Sequence, residues 1–285
     1  MPHVFAQIVH QPLAYEFGPL QFTGFGFAML MAFVTGQIVV QNEMKRRGMD
    51  PSPVSDMVFA AVVGGLLGAK LYYAVLMGDI GSILSRAGFV FWGGLMGGII
   101  AVTAVVMYKK LGVARMSDPT GIALGAAYCV GRTGCWAVGD DYGRPFNGAW
   151  ATLFPQGAPP STVANMTSMF NVQFPPGTPP TQVVAVHPTQ IYETVMGFMM
   201  FLILWRFREH KHAEGWLFGM YCLLAGIERF IVEFFRAKDD RFFIAGITAA
   251  QLIAIAFALF GAAWMFLRWN VTPTAPGIHS ARRGI

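Results

Sequence analysis

Residues 128–145 read YCVGRTGCWAVGDDYGRP, and they set an arginine, Arg132, inside an apolar stretch with the composition of a membrane helix nearing its end. A charged side chain at that depth costs several kcal/mol unless it faces a polar interior or a bound anion. How this stretch is read decides the fold class and where function is to be sought.

Composition points the same way. Hydrophobic residues make up 55% of the chain and charged residues 12%, and mean hydropathy is +0.50, against about 45–50% apolar and 25% charged in soluble domains. The chain reads as an all-α integral membrane protein. A net charge of +5 does not point to nucleic acid, because Lys and Arg fall in short clusters between apolar runs. Cys129, Cys135 and Cys222 have neither metal-ligand spacing nor a secreted disulfide pattern, so no metal is expected. The N-terminus up to Gln21 has no Lys or Arg and no cleavage pattern, and no removable signal peptide is expected.

Apolar runs long enough to cross about 30 Å of hydrocarbon fall at 20–41, 54–77, 89–108, 118–138, 189–208, 215–235 and 243–267. The chain is thus expected to form a single membrane domain, 1–285, of seven transmembrane helices. Lys45, Arg46 and Arg47 follow the first run, and Lys109, Lys110 and Arg115 the third. Arg206, Arg208 and Lys211 follow the fifth, and Arg268, Arg282 and Arg283 the seventh. Basic loops face the cytoplasm, which puts the N-terminus outside and the C-terminus inside. The other loops carry less or balanced charge: Asp79 with Arg86, the 139–188 segment, and Asp239 and Asp240 with Arg241.

That 139–188 segment, between the fourth and fifth runs, is expected to form a small extracytoplasmic cap. From Phe146 to Val186 it holds no Asp, Glu, Lys or Arg and many prolines, so a disordered insert is the competing reading. Glycines four apart (Gly64 and Gly68, Gly93 and Gly97, Gly94 and Gly98, Gly121 and Gly125) let helices approach closely in lipid.

Counting back at 1.5 Å per residue, Lys70, Arg132 and Arg229 each lie about 10–12 Å below the outer ends of the second, fourth and sixth runs. Gly131 and Gly134 are expected to break the helix near Arg132 and lift it somewhat. Arg229, Glu233 and Arg236 share one helix face by their i, i+4, i+7 spacing. They form either a self-satisfied ladder or part of an anion site. Arg132 has no carboxylate in its own run near its depth, so its partner is a carboxylate from another span or a ligand. A phospholipid phosphate lies near this depth, and guanidinium groups grip phosphate bidentately.

The segment HPTQIYE, from His187 to Glu193, opens the fifth run on the same side and adds Gln190, Tyr192 and Glu193 to a helix about to enter lipid. It reads as a polar helix start or as part of the site. Asp140 and Asp141 are likewise solvated loop charges or carboxylates that position Arg132.

These residues resemble the bacterial phosphatidylglycerol–prolipoprotein diacylglyceryl transferase family, over most of the chain. The resemblance rests on GRTGCWAVGDDYG (Gly131–Gly143), HPTQIYE, ERFIVEFFR (Glu228–Arg236), Ser117-Asp118 and GGLMGG (Gly93–Gly98), in this order and spacing. It implies transfer of the diacylglyceryl group of phosphatidylglycerol to the thiol of a lipobox cysteine in a prolipoprotein signal peptide. A thioether forms and glycerol 1-phosphate leaves, without metal or organic cofactor, in the bacterial cytoplasmic membrane. By the same resemblance, Arg132 and Arg229 match the essential arginines, Asp140 the acidic position and Gly143 the closing glycine. Substrate contacts are then expected from Arg132, Arg229, Lys70, Gly143, Gly93, Gly94, Tyr192, Glu193, Glu233, Arg236 and Trp92.

The chain departs from the family where many members carry a histidine before GGL and it has Trp92. It also has Phe25 for a tyrosine, and Cys135 and Val138 for asparagines. Since Trp92 cannot take a proton, His187 and Asp140 are the candidates for the base. The alternative function is a transporter or lipid-binding paralogue that holds an anionic headgroup without transfer.

Overall fold

In a computed structural model, residues 8–17, 20–84, 88–237 and 246–270 are described. Arg86, Asp239, Asp240, Arg241, Arg282 and Arg283, which entered the topology reading, lie outside them. The described chain is mostly helical. Its long helices are α1 (Gly24–Arg46), α2 (Val54–Met77), α3 (Phe91–Tyr108), α4 (Val113–Val138), α6 (Thr189–Arg206), α7 (Trp216–Glu233) and α8 (Ala249–Leu267), with a short α5 (Val163–Phe170) between α4 and α6. The long helices fall on the apolar runs of the sequence. Four of them, α1, α2, α3 and α8, are long and apolar enough to cross a membrane by length and composition. The other three, α4, α6 and α7, carry the buried charges described below.

Much of the apolar surface faces outward. Val75 is 76% exposed, Phe91 73% and Phe266 80%, the pattern of a body covered by lipid rather than water. Inside, Met44, Ile122, Leu204 and Leu217 are fully buried in one core. Helices approach through glycine, as the spacing anticipates. A Cβ on Gly68 would strike the Gly93 carbonyl, and one on Gly97 the Gly64 carbonyl, so α2 and α3 meet backbone to backbone. α7 meets α8 in the same way at Gly219, Gly226 and Gly261.

The expected break near Arg132 is absent. α4 runs through Gly131 and Gly134 and stops at Gly139, whose φ of 71° suits glycine. Gly134 serves packing instead: a Cβ there would come within 2.8 Å of Ala28 and 3.2 Å of the Phe25 backbone on α1.

The four basic loops meet at one end. Glu43, 1% exposed, pairs with Arg46 and lies within 3.7 Å of Arg208 beyond α6. Lys109 after α3 pairs with Asp56 in α2, and Arg115 in α4 with Glu214 before α7. The chain after α8 joins the same end, where the Ala213 amide donates to the Arg268 carbonyl. Asp118 is the centre of this end. It is 1% exposed and accepts the amides of Gly215 and Phe218, orphan donors at the start of α7, and it faces His210 at 3.3 Å and Arg47 at 3.8 Å. Asp118→Ala would strand these groups, and a loss of about 3 kcal/mol of stability is expected, seen as a lowered melting temperature of the detergent-solubilised protein.

The 139–188 segment is folded, which overturns the disordered-insert reading. Strands β4 (Thr152–Leu153) and β5 (Ala185–Val186) pair antiparallel, and β1 (Ile8–Val9) adds to β4 in parallel. A second, two-stranded ribbon, β2 (Ala14–Phe17) with β3 (Leu20–Thr23), leads into α1. Tyr142, Phe154, Met166 and Val186 form a small buried core, with Ala237 from beyond α7 packed into it. The N-terminal strand and the residues after α7 thus supply parts that composition of the loop alone could not reveal.

Candidate functional site

At the end opposite the basic loops, α4, α6 and α7 bring three arginines onto shared carboxylates. Glu193, in the second turn of α6 and 2% exposed, is the hub. One of its oxygens pairs with the Arg132 guanidinium. The other accepts from Arg236 at 3.2 Å and faces Arg229 at 3.9 Å. Asp141 bridges from the loop, with Oδ2 at 3.1 Å from Arg132 and Oδ1 at 2.7 Å from Arg236. Arg229 donates to Glu233 at 2.6 Å, one turn along α7, and Glu233 also accepts from Thr248, the N-cap of α8, at 3.3 Å.

The loop carrying Asp141 is tied on both sides. Asp141 has φ 55°, a left-handed conformation that aspartate tolerates better than most residues. Thr189 donates to the Asp141 carbonyl at 2.6 Å and Gln190 to the Asp140 carbonyl at 2.5 Å, so the first turn of α6 grips the loop. The Gly143 amide donates to the His187 carbonyl, and the Arg144 amide to the Phe235 carbonyl. A side chain at Gly143 would collide with the Phe235 carbonyl, which is why glycine closes this loop.

Asp140 faces the other way. Its Oδ1 is buried and without a hydrogen-bond partner among the described residues. Burial, then the charge of Asp141, pushes its carboxyl up to about 6, opposed by a hydrogen bond with the Cys135 thiol and by Arg132. Cys135, Asp140 and Asp141 offer donor atoms within 4.8 Å of one another. A cation there would meet the Arg132 guanidinium, which is 3.3 Å from the thiol sulfur and 3.1 Å from Asp141. The donor set does not suit a metal. It does leave guanidinium donors unspent: Nε of Arg132 and Nε of Arg236 are buried without partners among the described residues. Such a group can take an anion with several acceptor oxygens.

The family model described as prolipoprotein diacylglyceryl transferase matches residues 12–267. The chain is 29% identical to the phosphatidylglycerol–prolipoprotein diacylglyceryl transferase of Clostridium tetani, over 88% of this chain and 95% of the relative. To that of Nitratidesulfovibrio vulgaris it is 30% identical, over 80% and 82%, and to that of Geobacter sulfurreducens 28%, over 91% and 94%. The chain belongs to the prolipoprotein diacylglyceryl transferase family. That membership does not favour the transporter or non-catalytic lipid-binding alternative.

Of the residues singled out in the sequence of this family member, Arg132, Arg229, Arg236, Glu193 and Glu233 come together in one ion-pair cluster. Arg132 takes its carboxylates from another helix and from the loop. The ladder reading of α7 holds for Arg229 and Glu233 only, because Arg236 turns to Asp141 and Glu193. Arg236 is also 5% exposed and so lies deeper than its position near the end of α7 implies.

His187 and Tyr192 sit beside the cluster, in a group with Phe146, Trp150 and Phe235. His187 Nδ1 is 3.0 Å from the Tyr192 hydroxyl, its ring stacks on Phe146, and Trp150 donates to the Tyr192 hydroxyl at 2.6 Å. Burial lowers the pKa of His187.

Lys70, Trp92, Gly93 and Gly94 lie on the α2–α3 pair. The Lys70 ammonium is 4.3 Å from the Phe89 ring centre, Trp92 is 48% exposed beside Phe91, and Gly93 and Gly94 pack against α2. Gly93 and Gly94 set the close approach of α3 to α2.

Asp141 pairs with Arg132 as one reading of the sequence allowed, and Gln190, Thr189, Tyr128 and Glu228, which that reading gave little or no part, join it. A second carboxylate beside Asp140, and a glutamate next to Arg229 in an apolar run, were the available signals.

Proposed function

We propose that this chain transfers the diacylglyceryl group of phosphatidylglycerol to the thiol of a lipobox cysteine in a prolipoprotein, forming a thioether and releasing glycerol 1-phosphate. The observation that carries this is the arginine cluster with two buried Nε donors left over. In the transfer the thiolate attacks the glycerol carbon, the C–O bond breaks, and the departing phosphate goes from one negative charge toward two. Guanidinium groups fixed before the reaction hold that developing charge more tightly in the transition state than in the ground state. The thiol must lose its proton to react, and Asp140 is better placed than His187 to take it. One of its oxygens is buried without a partner among the described residues and the Arg132 charge acts on the carboxyl, whereas the His187 ring is engaged with Tyr192 and Phe146.

The membrane-length helices and bacterial relatives make this a multi-pass protein of the bacterial cytoplasmic membrane. In our reading all seven long helices span it. The basic loops gather at the cytoplasmic end, which leaves the N-terminus, the arginine cluster and the 139–188 cap on the outer side. A secreted precursor presents its cysteine there. The charges that keep α4, α6 and α7 from reading as simple apolar spans are those paired with one another inside the bundle.

Purified protein given phosphatidylglycerol and a lipobox peptide should release glycerol 1-phosphate and yield a thioether-linked peptide. No release, with correctly folded protein, would refute the reading. Single cysteines placed near Arg46, Lys110 and Lys211 should label only from the cytoplasm and one near Asn165 only from outside. The reverse pattern would overturn the orientation.

A further inference from the structure

Before any lipid arrives, each arginine of the cluster already has a carboxylate to match it. Arg132, Arg229 and Arg236 are matched by Asp141, Glu193 and Glu233. Besides Asp140, a further carboxylate lies against them. Glu228 on α7 is 6% exposed and accepts from the Tyr128 hydroxyl of α4 at 3.1 Å; the same hydroxyl is 3.4 Å from Glu193 Oε1. Two buried carboxylates thus share one hydroxyl proton. The charged and titratable groups around Glu228 are Tyr128 and Arg132 from α4, Glu193 from α6, Arg229 and Tyr221 on its own helix, and Arg236 beyond it. α8, packed on the other side of α7, has no ionisable residue. A phosphodiester entering this cluster adds a negative charge where no positive charge is spare.

We propose that Glu228 takes up one proton as the lipid phosphate binds, so that the net charge of the buried site does not change. The protonated carboxyl then donates to the Tyr128 oxygen, and the Tyr128 hydroxyl donates to Glu193, so that Glu193 stays ionised and keeps its hold on the arginines. Glu228 touches neither the lipid nor the reacting atoms and is a positioning residue. This rests on the phosphate-binding reading of the cluster.

Linkage gives the sign. A carboxyl that holds its proton more tightly in the lipid-bound state strengthens binding at low pH, and binding weakens as pH rises, by at most about tenfold per pH unit for one proton.

The test is a calorimetric titration of the detergent-solubilised protein with short-chain phosphatidylglycerol, in buffers of different ionisation enthalpy at neutral pH. The native protein should take up about one proton per lipid. Glu228→Gln, which imitates the protonated state, should bind lipid with that uptake lost. In Tyr128→Phe the carboxyl loses its donor, holds a proton before lipid arrives, and should also show little uptake. Binding heats that are the same in all buffers for the native protein, or an uptake unchanged in both variants, would overturn the proposal. No binding by the native protein would instead refute the phosphate-binding reading on which it rests.

Discussion

Arg132→Ala should lose transfer activity by about a thousandfold or more, since removing one preorganised donor to a developing oxyanion commonly costs two to three orders of magnitude, and Arg132 also organises two carboxylates. The fold should survive. Glu193 keeps Arg236 at 3.2 Å and Asp141 keeps it at 2.7 Å, so neither carboxylate is left without a cation. Thermal unfolding and gel filtration of the variant should therefore stay near native while glycerol phosphate release disappears. Arg132→Lys should rescue little. Arg132 reaches Asp141 with one terminal nitrogen and Glu193 with the other, and a single ammonium cannot span both directions. Arg236→Ala is expected to be nearly as damaging as Arg229→Ala, because Arg236 joins Asp141 and Glu193 as Arg132 does and is more buried than Arg229. Near-native activity in Arg132→Ala would end the phosphate-clamp account.

What was legible in the sequence follows from the range of the interactions involved. The long helices were legible because burial in lipid requires an unbroken apolar run; α2 lies at 54–77, where composition puts it. The common end of the basic loops was legible through charge alone, and the α2–α3 contact through glycines at positions 64, 68, 93 and 97. Of the partners of Arg132, Asp141 was offered by the sequence as a carboxylate that positions it, but Glu193 was not. Glu193 is 61 residues away by the numbering, and nothing local distinguishes it from a polar helix start. Arg236 read as shallow because depth was counted along α7, whereas the loop from Gly139 to Arg144 folds over it and buries it. The helix break expected at Gly131 and Gly134 failed for a similar reason. Glycine weakens a helix in water, but here Gly134 is what lets α4 lie against Ala28 and Phe25, and that packing outweighs propensity.

The departure at Trp92 makes the proton acceptor the other decisive test. Trp92 is half-exposed on α3 and stands beside Phe91, so Trp92→Phe should keep most activity. Asp140→Asn removes the unpartnered carboxylate oxygen and should lower the rate by about two to four orders of magnitude, the usual contribution of general base catalysis. The pH profile separates base from scaffold. Burial and the neighbouring Asp141 raise the Asp140 carboxyl to about 6, so it is protonated and idle below that pH. The native rate should climb through about pH 6 and level off above it, and Asp140→Asn should show a low rate without that climb. Burial lowers the His187 pKa and its ring is tied to Tyr192, so His187→Ala should weaken the loop and lower the rate less, with the inflection near pH 6 intact. If instead the inflection vanishes in His187→Ala and persists in Asp140→Asn, the roles are reversed. The proton would then pass to the His187 imidazole, whose Nδ1 meets the Tyr192 hydroxyl, and the Cys135–Asp140 contact would be a structural tie between the end of α4 and its loop.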